Sequence, residues 1–267
     1  VGLAAPRGHA KSTALTHDFG LASVCFRVES HVLIVSATEE LAMAHLSDMA
    51  TELRDNDELR KSFGISKFLI DSKGEIIIKC VPDGDFPAGY QFRIIARGAG
   101  QKLRGLKWRG RRPGLILCDD MEEDEQVENY DRRRKFRKWV MRALLPLGRR
   151  EAKIRWHGTI LHEDSMLQRL MNDPTCKSAL YRAHRDFDDF RDILWPEMWN
   201  EARLRQMRQR YIEQGDSPGY SQELLNDPFA QDYAYLRKAD FLPMSDSDRK
   251  TDKRVCVGVD FAVSTNS

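Results

Sequence analysis

The sequence predicts an α/β fold: a mostly parallel central sheet with helices on both faces. Apolar runs of strand length, at 31–36, 75–79, 91–96, 115–118 and 153–159, alternate with longer stretches whose apolar residues recur at helical spacing. The run 115–118 (Leu-Ile-Leu-Cys) has no polar alternation, the pattern of a strand covered on both faces. With 267 residues and 41% hydrophobic content, the chain can build one large domain, or one domain plus an appendage. Its 31% charged content requires a densely ionic surface.

Taken in order, residues 1–4 read as a first strand, followed by Ala5-Pro6-Arg7-Gly8-His9-Ala10-Lys11-Ser12-Thr13. This matches Gly-x-x-x-x-Gly-Lys-[Ser/Thr] with Ala5 and Ala10 in place of the glycines. In such a loop the N–H groups curl around a phosphate, the lysine adds charge on the β/γ-phosphates, and the hydroxyl takes a Mg²⁺ position. The expected class is therefore a P-loop NTPase, RecA/ASCE-like. A helix from 11 to about 26 aims its N-terminus at the same charge. After strand 31–36, Thr38 caps a helix reaching about 55, with Leu41, Ala44, His45 and Met49 at helical spacing. Strands 75–79 and 91–96 are expected to pair around the 82–89 loop.

Strand 115–118 runs into Asp119-Asp120. An acid there holds Mg²⁺ together with the loop serine, and a neighbouring carboxylate can orient and deprotonate a water. A helix is predicted over 126–144, with Phe136, Trp139, Val140, Ala143 and Leu144 inward as core. The strand 153–159 ends in Gly158-Thr159. Helices over 163–171, 199–214 and 221–225 follow, with Trp195 and Trp199 packing the start of the second. Residues 245–254 are polar and free of Pro and Gly, so they read as a linker, and 255–259 opens a new strand that ends at Asp260.

A net charge of +2 does not by itself announce a polyanion binder. Basic blocks recur, however, at 97–112, 132–138 and 203–210, around an acidic run at 119–128. The cysteines Cys25, Cys80, Cys118, Cys176 and Cys256 are dispersed with no Cys-x-x-Cys, which predicts reduced thiols in a cytosolic protein. His157, His162 and His184 form no ligand set and are read as structural. No run approaches membrane-spanning length. The chain starts without a methionine, inside its first expected strand, and ends abruptly, so a piece trimmed at both ends is expected.

The Lys11 loop, the Arg-Gly stretch Leu103-Arg104-Gly105 to Pro113, the strand ending in Asp119-Asp120, and Gly158-Thr159 with Leu161-His-Glu163 together resemble the ATPase domain of the large terminase subunit of tailed bacteriophages, a DNA-packaging motor. Leu194-Trp-Pro-Glu197 and Glu223-Leu-Leu-Asn-Asp-Pro228 are similar to the same family. Val257-Gly-Val-Asp260 resembles the opening strand of its ribonuclease-H-like nuclease domain.

The resemblance implies an ATP hydrolase using ATP and Mg²⁺. Residues Pro6, Arg7, Gly8, His9, Ala10, Lys11, Ser12 and Thr13 would hold nucleotide, with Arg7 sensing the γ-phosphate. Ser12 and Asp119 would hold the metal, and Asp120 would be the catalytic acid. The family commonly has Glu at that position, which leaves Glu122 as the other candidate. Gly158 and Thr159 would couple γ-phosphate state to DNA movement. Arg104, with Arg109 second, would be an arginine finger acting on a neighbouring subunit. Asp260 would be a metal ligand of an incomplete nuclease site.

Implied boundaries are 1–244 for the ATPase domain, including a helical lid at about 195–244, then 245–254 as linker and 255–267 as the first nuclease strand. The segment that contacts adenine in the family precedes the loop and is absent from this sequence. Implied partners are double-stranded DNA, a portal protein, a small terminase subunit and further copies in a homo-oligomeric ring on a procapsid, in the host cytoplasm and away from membranes. Two other readings stand beside this one: a RecA-like helicase or translocase, and a nucleic-acid-binding module with a degenerate P-loop.

Overall fold

The computed structural model describes residues 1–228. The linker at 245–254, the strand at 255–267, Asp260, Cys256 and the second part of the 195–244 lid lie outside the described residues. The described chain forms β1 (Gly2–Ala4), β2 (His31–Ser36), β3 (Ile65–Ser72), β4 (Glu75–Cys80), β5 (Gln91–Gly98), β6 (Leu115–Asp119), β7 (Lys153–Gly158) and β8 (Ser178–Leu180). They make one sheet in the order β3-β4-β5-β2-β6-β7-β1-β8. From β5 to β8 every neighbouring pair is parallel, and β3-β4-β5 is an antiparallel extension at one edge.

The two-sided burial anticipated for the central strands is what fixes the layers. All six residues of β2 and all five of β6 are buried. Alternate residues of β2 face opposite cores, because successive strand side chains point to opposite sides. Val32 and Ile34 join Leu46, Met49, Ile94 and Leu117 on one side, and Leu33 and Val35 join Ile116, Phe136, Val140 and Trp156 on the other. The first face is covered by α1 (Phe19–Cys25) and α2 (Glu39–Asp55), followed by α3 (Asp57–Phe63). A third cluster, Phe190, Trp199, Leu204, Tyr220 and Leu224, holds together α7 (Glu201–Glu213) and α8 (Ser217–Leu225).

Three expectations change in detail. The helix from 11 onward has a π-helical turn at Thr13–Asp18 before α1. The helix expected over 126–144 is interrupted: α4 (Asp124–Glu128) stops at Asn129, which leaves helical geometry at ψ 117. Its side chain instead caps α5 (Tyr130–Trp139) by accepting the Arg132 N–H at 3.0 Å. The helix expected at 163 begins later, as α6 (Met166–Asn172), with Ser165 as its cap. Cys25, Cys80 and Cys118 are buried and Cys176 half-buried, all unpaired. Among the described residues no helix is long and apolar enough to cross a membrane.

Candidate functional site

The C-terminal ends of β1, β6 and β7 converge, and the loop leaving β1 lies across them. Its Ala5 N–H donates to the Gly158 carbonyl at 3.0 Å, which ties the loop to the end of β7. Gly8 (φ 73) and Ala10 (φ 55) both adopt the left-handed conformation. At Ala10, where the motif has glycine, the single methyl tolerates this at roughly 1–2 kcal/mol. Gly8 is required by close approach, since a Cβ there would stand 2.9 Å from the Trp199 ring. The Trp199 indole N–H donates to the Gly8 carbonyl at 3.1 Å, and its ring stacks on His9 with centroids 5.5 Å apart. Burial beneath that ring holds the His9 imidazole below its ordinary pKa. Trp199 was expected only to pack the start of its own helix; it also seats the loop.

Lys11 and Ser12 follow at the start of the helix. The Lys11 ammonium, with its side chain 7% exposed, lies 3.0 Å from Asp120 Oδ2 and 3.4 Å from Thr159 Oγ1. The Ser12 hydroxyl donates to Asp119 Oδ1 at 3.0 Å. Asp119 is buried, and three further groups address it. The Thr16 hydroxyl donates to Oδ2 at 2.8 Å, His45 Nε2 lies 3.1 Å from Oδ2, and His157 Nε2 lies 3.3 Å from Oδ1. Thr16 has one hydrogen and gives it to Asp119, so its 2.8 Å contact with His157 Nε2 places the imidazole proton on that nitrogen. Burial alone would push the Asp119 carboxyl up; the His157 hydrogen bond and charge, then His45 and Thr16, bring it down to about 2.

Asp120 is in a different environment. Its backbone turns left-handed (φ 40), its N–H donates to the His157 carbonyl at 3.1 Å, and its side chain is 47% exposed in the cleft opposite Lys11. Glu122 lines the same cleft, of about 320 Å³, together with Arg7, Thr159 and Glu223. Both Glu122 oxygens are engaged, however: Oε1 accepts the Met166 N–H at 2.8 Å and Oε2 the Leu167 N–H at 3.2 Å. It therefore caps α6, and burial raises its pKa. Arg7 donates to Glu223 Oε1 at 3.1 Å, and its N–H donates to the Glu223 carbonyl at 2.9 Å.

Thus the structure brings Arg7, Lys11, Asp120, Glu122 and Thr159 into one cleft, with Ser12 and Asp119 beside it. Arg104 and Arg109 are not part of that cleft. Arg104 is exposed without a side-chain partner among the described residues, while Arg109 bonds Gln91 at 2.6 Å and lies over the Trp108 ring. A Mg²⁺ fits the paired oxygens of Ser12 and Asp119, hard donors of the kind it takes. Among the described residues no group of three or more His, Cys, Asp and Glu forms a closed metal cage. That suits an ion whose shell is completed by phosphate and water. The sequence reading missed Thr16, His45, His157 and Glu223 as site residues. For His157 a signal existed: aligning the ends of β6 and β7 in parallel register makes it the neighbour of Asp119.

Comparison with known proteins gives the fold. No family model and no curated protein matches the sequence. Among solved structures, the large terminase ATPase domain of Thermus phage P74-26 is similar in two crystal structures. A single-residue mutant form has a TM-score of 0.58 at 11% identity, over 84% of this chain and 87% of that one. The second has a TM-score of 0.55 at 14% identity, over 84% and 86%. The chain has a P-loop NTPase α/β fold of the kind seen in that ATPase domain.

Proposed function

We propose that this chain is the ATPase motor of viral DNA packaging, hydrolysing ATP with Mg²⁺ to move double-stranded DNA into a procapsid. The observation that carries the reading is the convergence of Lys11, Ser12, Asp119, Asp120 and Thr159 from three separate strand ends. Lys11 would receive the β/γ-phosphates, leaving Asp120, and Ser12 with Asp119 would hold the metal. Bound there, Mg²⁺ would supply charge neutralisation on the triphosphate. Asp120, freed from the ammonium, would orient the attacking water and take its proton. The commitment of both Glu122 oxygens to α6 favours Asp120 over Glu122 in this role.

Arg7 would reach the γ-phosphate, and Thr159, held between Lys11 and the Ala5 carbonyl, would register its loss. Arg104 of a neighbouring copy, or failing it Arg109, would neutralise charge on the transferring phosphoryl group. DNA would be held through its phosphates, without sequence preference. In this reading the motor works as a homo-oligomeric ring with a portal protein and a small terminase subunit, in the host cytoplasm. Asp260 would serve a nuclease domain of the larger protein.

The test is DNA-stimulated ATP turnover with Lys11→Ala as control. Turnover that depends on Lys11 is expected. Absence of Lys11-dependent turnover would leave a nucleic-acid-binding module with a degenerate loop, and strand separation would identify a helicase.

A further inference from the structure

At the opposite end of the parallel strands from the P-loop, where β2, β6 and β7 begin, lies a second cavity of about 460 Å³. The five residues of β6 separate it from the P-loop end by roughly 16 Å. Its walls are the basic side chains of Lys107, Arg111, Arg112 and Arg149, and Glu29 and His31 also line it. The cations outnumber their partners. Buried Glu29 is taken by Arg149 at 2.8 Å, with Lys153 at 3.8 Å. Arg112 donates to the neutral Pro146 carbonyl at 2.8 Å. The Lys107 ammonium and the Arg111 guanidinium have no side-chain or carbonyl partner among the described residues.

His31 supplies no negative charge: it is 2% exposed, its Nε2 accepts an Arg93 N–H at 3.4 Å, and its ring is turned to the Arg111 carbonyl. An oxyanion in the cavity would answer the two unpaired cations together, and arginine forks favour phosphate geometry.

We infer that this cavity is a phosphate-binding site distinct from the P-loop, taking one phosphate group of an oligophosphate or of a nucleic-acid backbone. The inference does not depend on the proposed ATPase activity. The test uses Lys11→Ala, which disables the loop. Inorganic pyrophosphate at fixed ionic strength should raise its Tm saturably, as ligand linkage requires. Adding Lys107→Glu and Arg111→Glu should abolish that rise. The Lys107→Gln, Arg111→Gln pair serves if charge reversal disturbs folding.

A mixed-sequence DNA duplex separates the two sources. If the site takes backbone phosphate, the paired substitution weakens binding at least tenfold and lowers the salt slope by about 1, as loss of one phosphate contact requires. If it takes free oligophosphate, only the pyrophosphate response changes. The inference is overturned if the pyrophosphate shift is lost with Lys11→Ala alone or survives the paired substitution. It is equally overturned if neither probe responds to Lys107 and Arg111, or if a polyglutamate peptide binds there and phosphate does not.

Discussion

Asp119 and Asp120 are neighbours in sequence with opposite surroundings, and that contrast fits the different roles proposed for them. Asp119 is enclosed by Ser12, Thr16, His45 and His157, and its carboxyl at about 2 is ionised through the physiological range, the state the proposed metal role requires. Asp120 is half-exposed and held by one ammonium that a phosphate can take away. Asp120→Asn should lower kcat by roughly 10²–10⁴-fold with nucleotide affinity retained. Glu122→Gln should instead lower Tm, through a weakened α6 cap, and leave kcat within a few-fold. Single-turnover hydrolysis and nucleotide titration of both variants check this; the reverse pattern moves the acid role to Glu122. His31 supplies a pH prediction. Burial lowers its pKa from 6.5 to about 4, so between those values the unfolded chain binds a proton that the folded chain does not. Stability from this group is complete above pH 6.5 and falls as pH drops towards 4. Asp119 acts in a lower window: its contribution is present above 3.8 and is lost as pH falls towards 2. Urea midpoints from pH 7 to 4 should therefore fall less steeply for His31→Gln than for the wild type.

A loop short of glycine stays formed because several elements grip it. The end of β7 takes the Ala5 N–H, α8 takes Arg7 through backbone and side chain, and Trp199 ahead of α7 takes the Gly8 carbonyl. Trp199→Phe keeps an aromatic ring but removes the indole N–H and part of a buried ring. The lost bond contributes about 1 kcal/mol, so nucleotide affinity should weaken about fivefold, with a modest fall in Tm from the space left in the core. Calorimetric titration with a non-hydrolysable ATP analogue measures it, and an unchanged Kd means that the loop holds its shape without the clamp. Element by element, the sequence was legible where burial is two-sided. Strands β2 and β6 showed as unbroken apolar runs because both of their faces are core. Strand β3 escaped notice because Ile65 is its one buried residue, and its place depends on antiparallel pairing with β4. β8 is three residues long and is a strand through its pairing with β1. The split at Asn129 turned on a side chain choosing to cap α5 rather than continue a helix, a local competition that helical spacing does not reveal.

Across the whole molecule, the site joins residues far apart in sequence, and that distance decided what could be read from the chain. Lys11, Ser12, Asp119, Asp120 and Thr159 were legible because motif spacing and strand ends announce them. His45, His157 and Glu223 were not, because each acts through a partner that only sheet register or helix docking brings near: Arg7 and Glu223 are 216 positions apart. Asn226 shows the same principle for stability. It sits left-handed (φ 53) just after α8 and is buried. Its Oδ1 accepts the Ile160 N–H at 2.9 Å, and its Nδ2 donates to the Tyr181 carbonyl at 2.8 Å. One side chain thereby binds α8 to the chain following both β7 and β8, one residue from Thr159. Asn226→Ala would leave two backbone groups unpaired and place a Cβ-bearing residue without local compensation in the left-handed region. The expected loss is roughly 2–5 kcal/mol, read from urea unfolding. Asn226→Gly, free of the backbone strain, should recover about 1 kcal/mol of it, while Asn226→Asp should keep the Ile160 bond and lose the Tyr181 one. If Asn226→Ala unfolds at the wild-type midpoint, α7 and α8 are not part of the cooperative unit that holds the P-loop. A second, earlier transition confined to the Trp199 signal would locate the boundary between them.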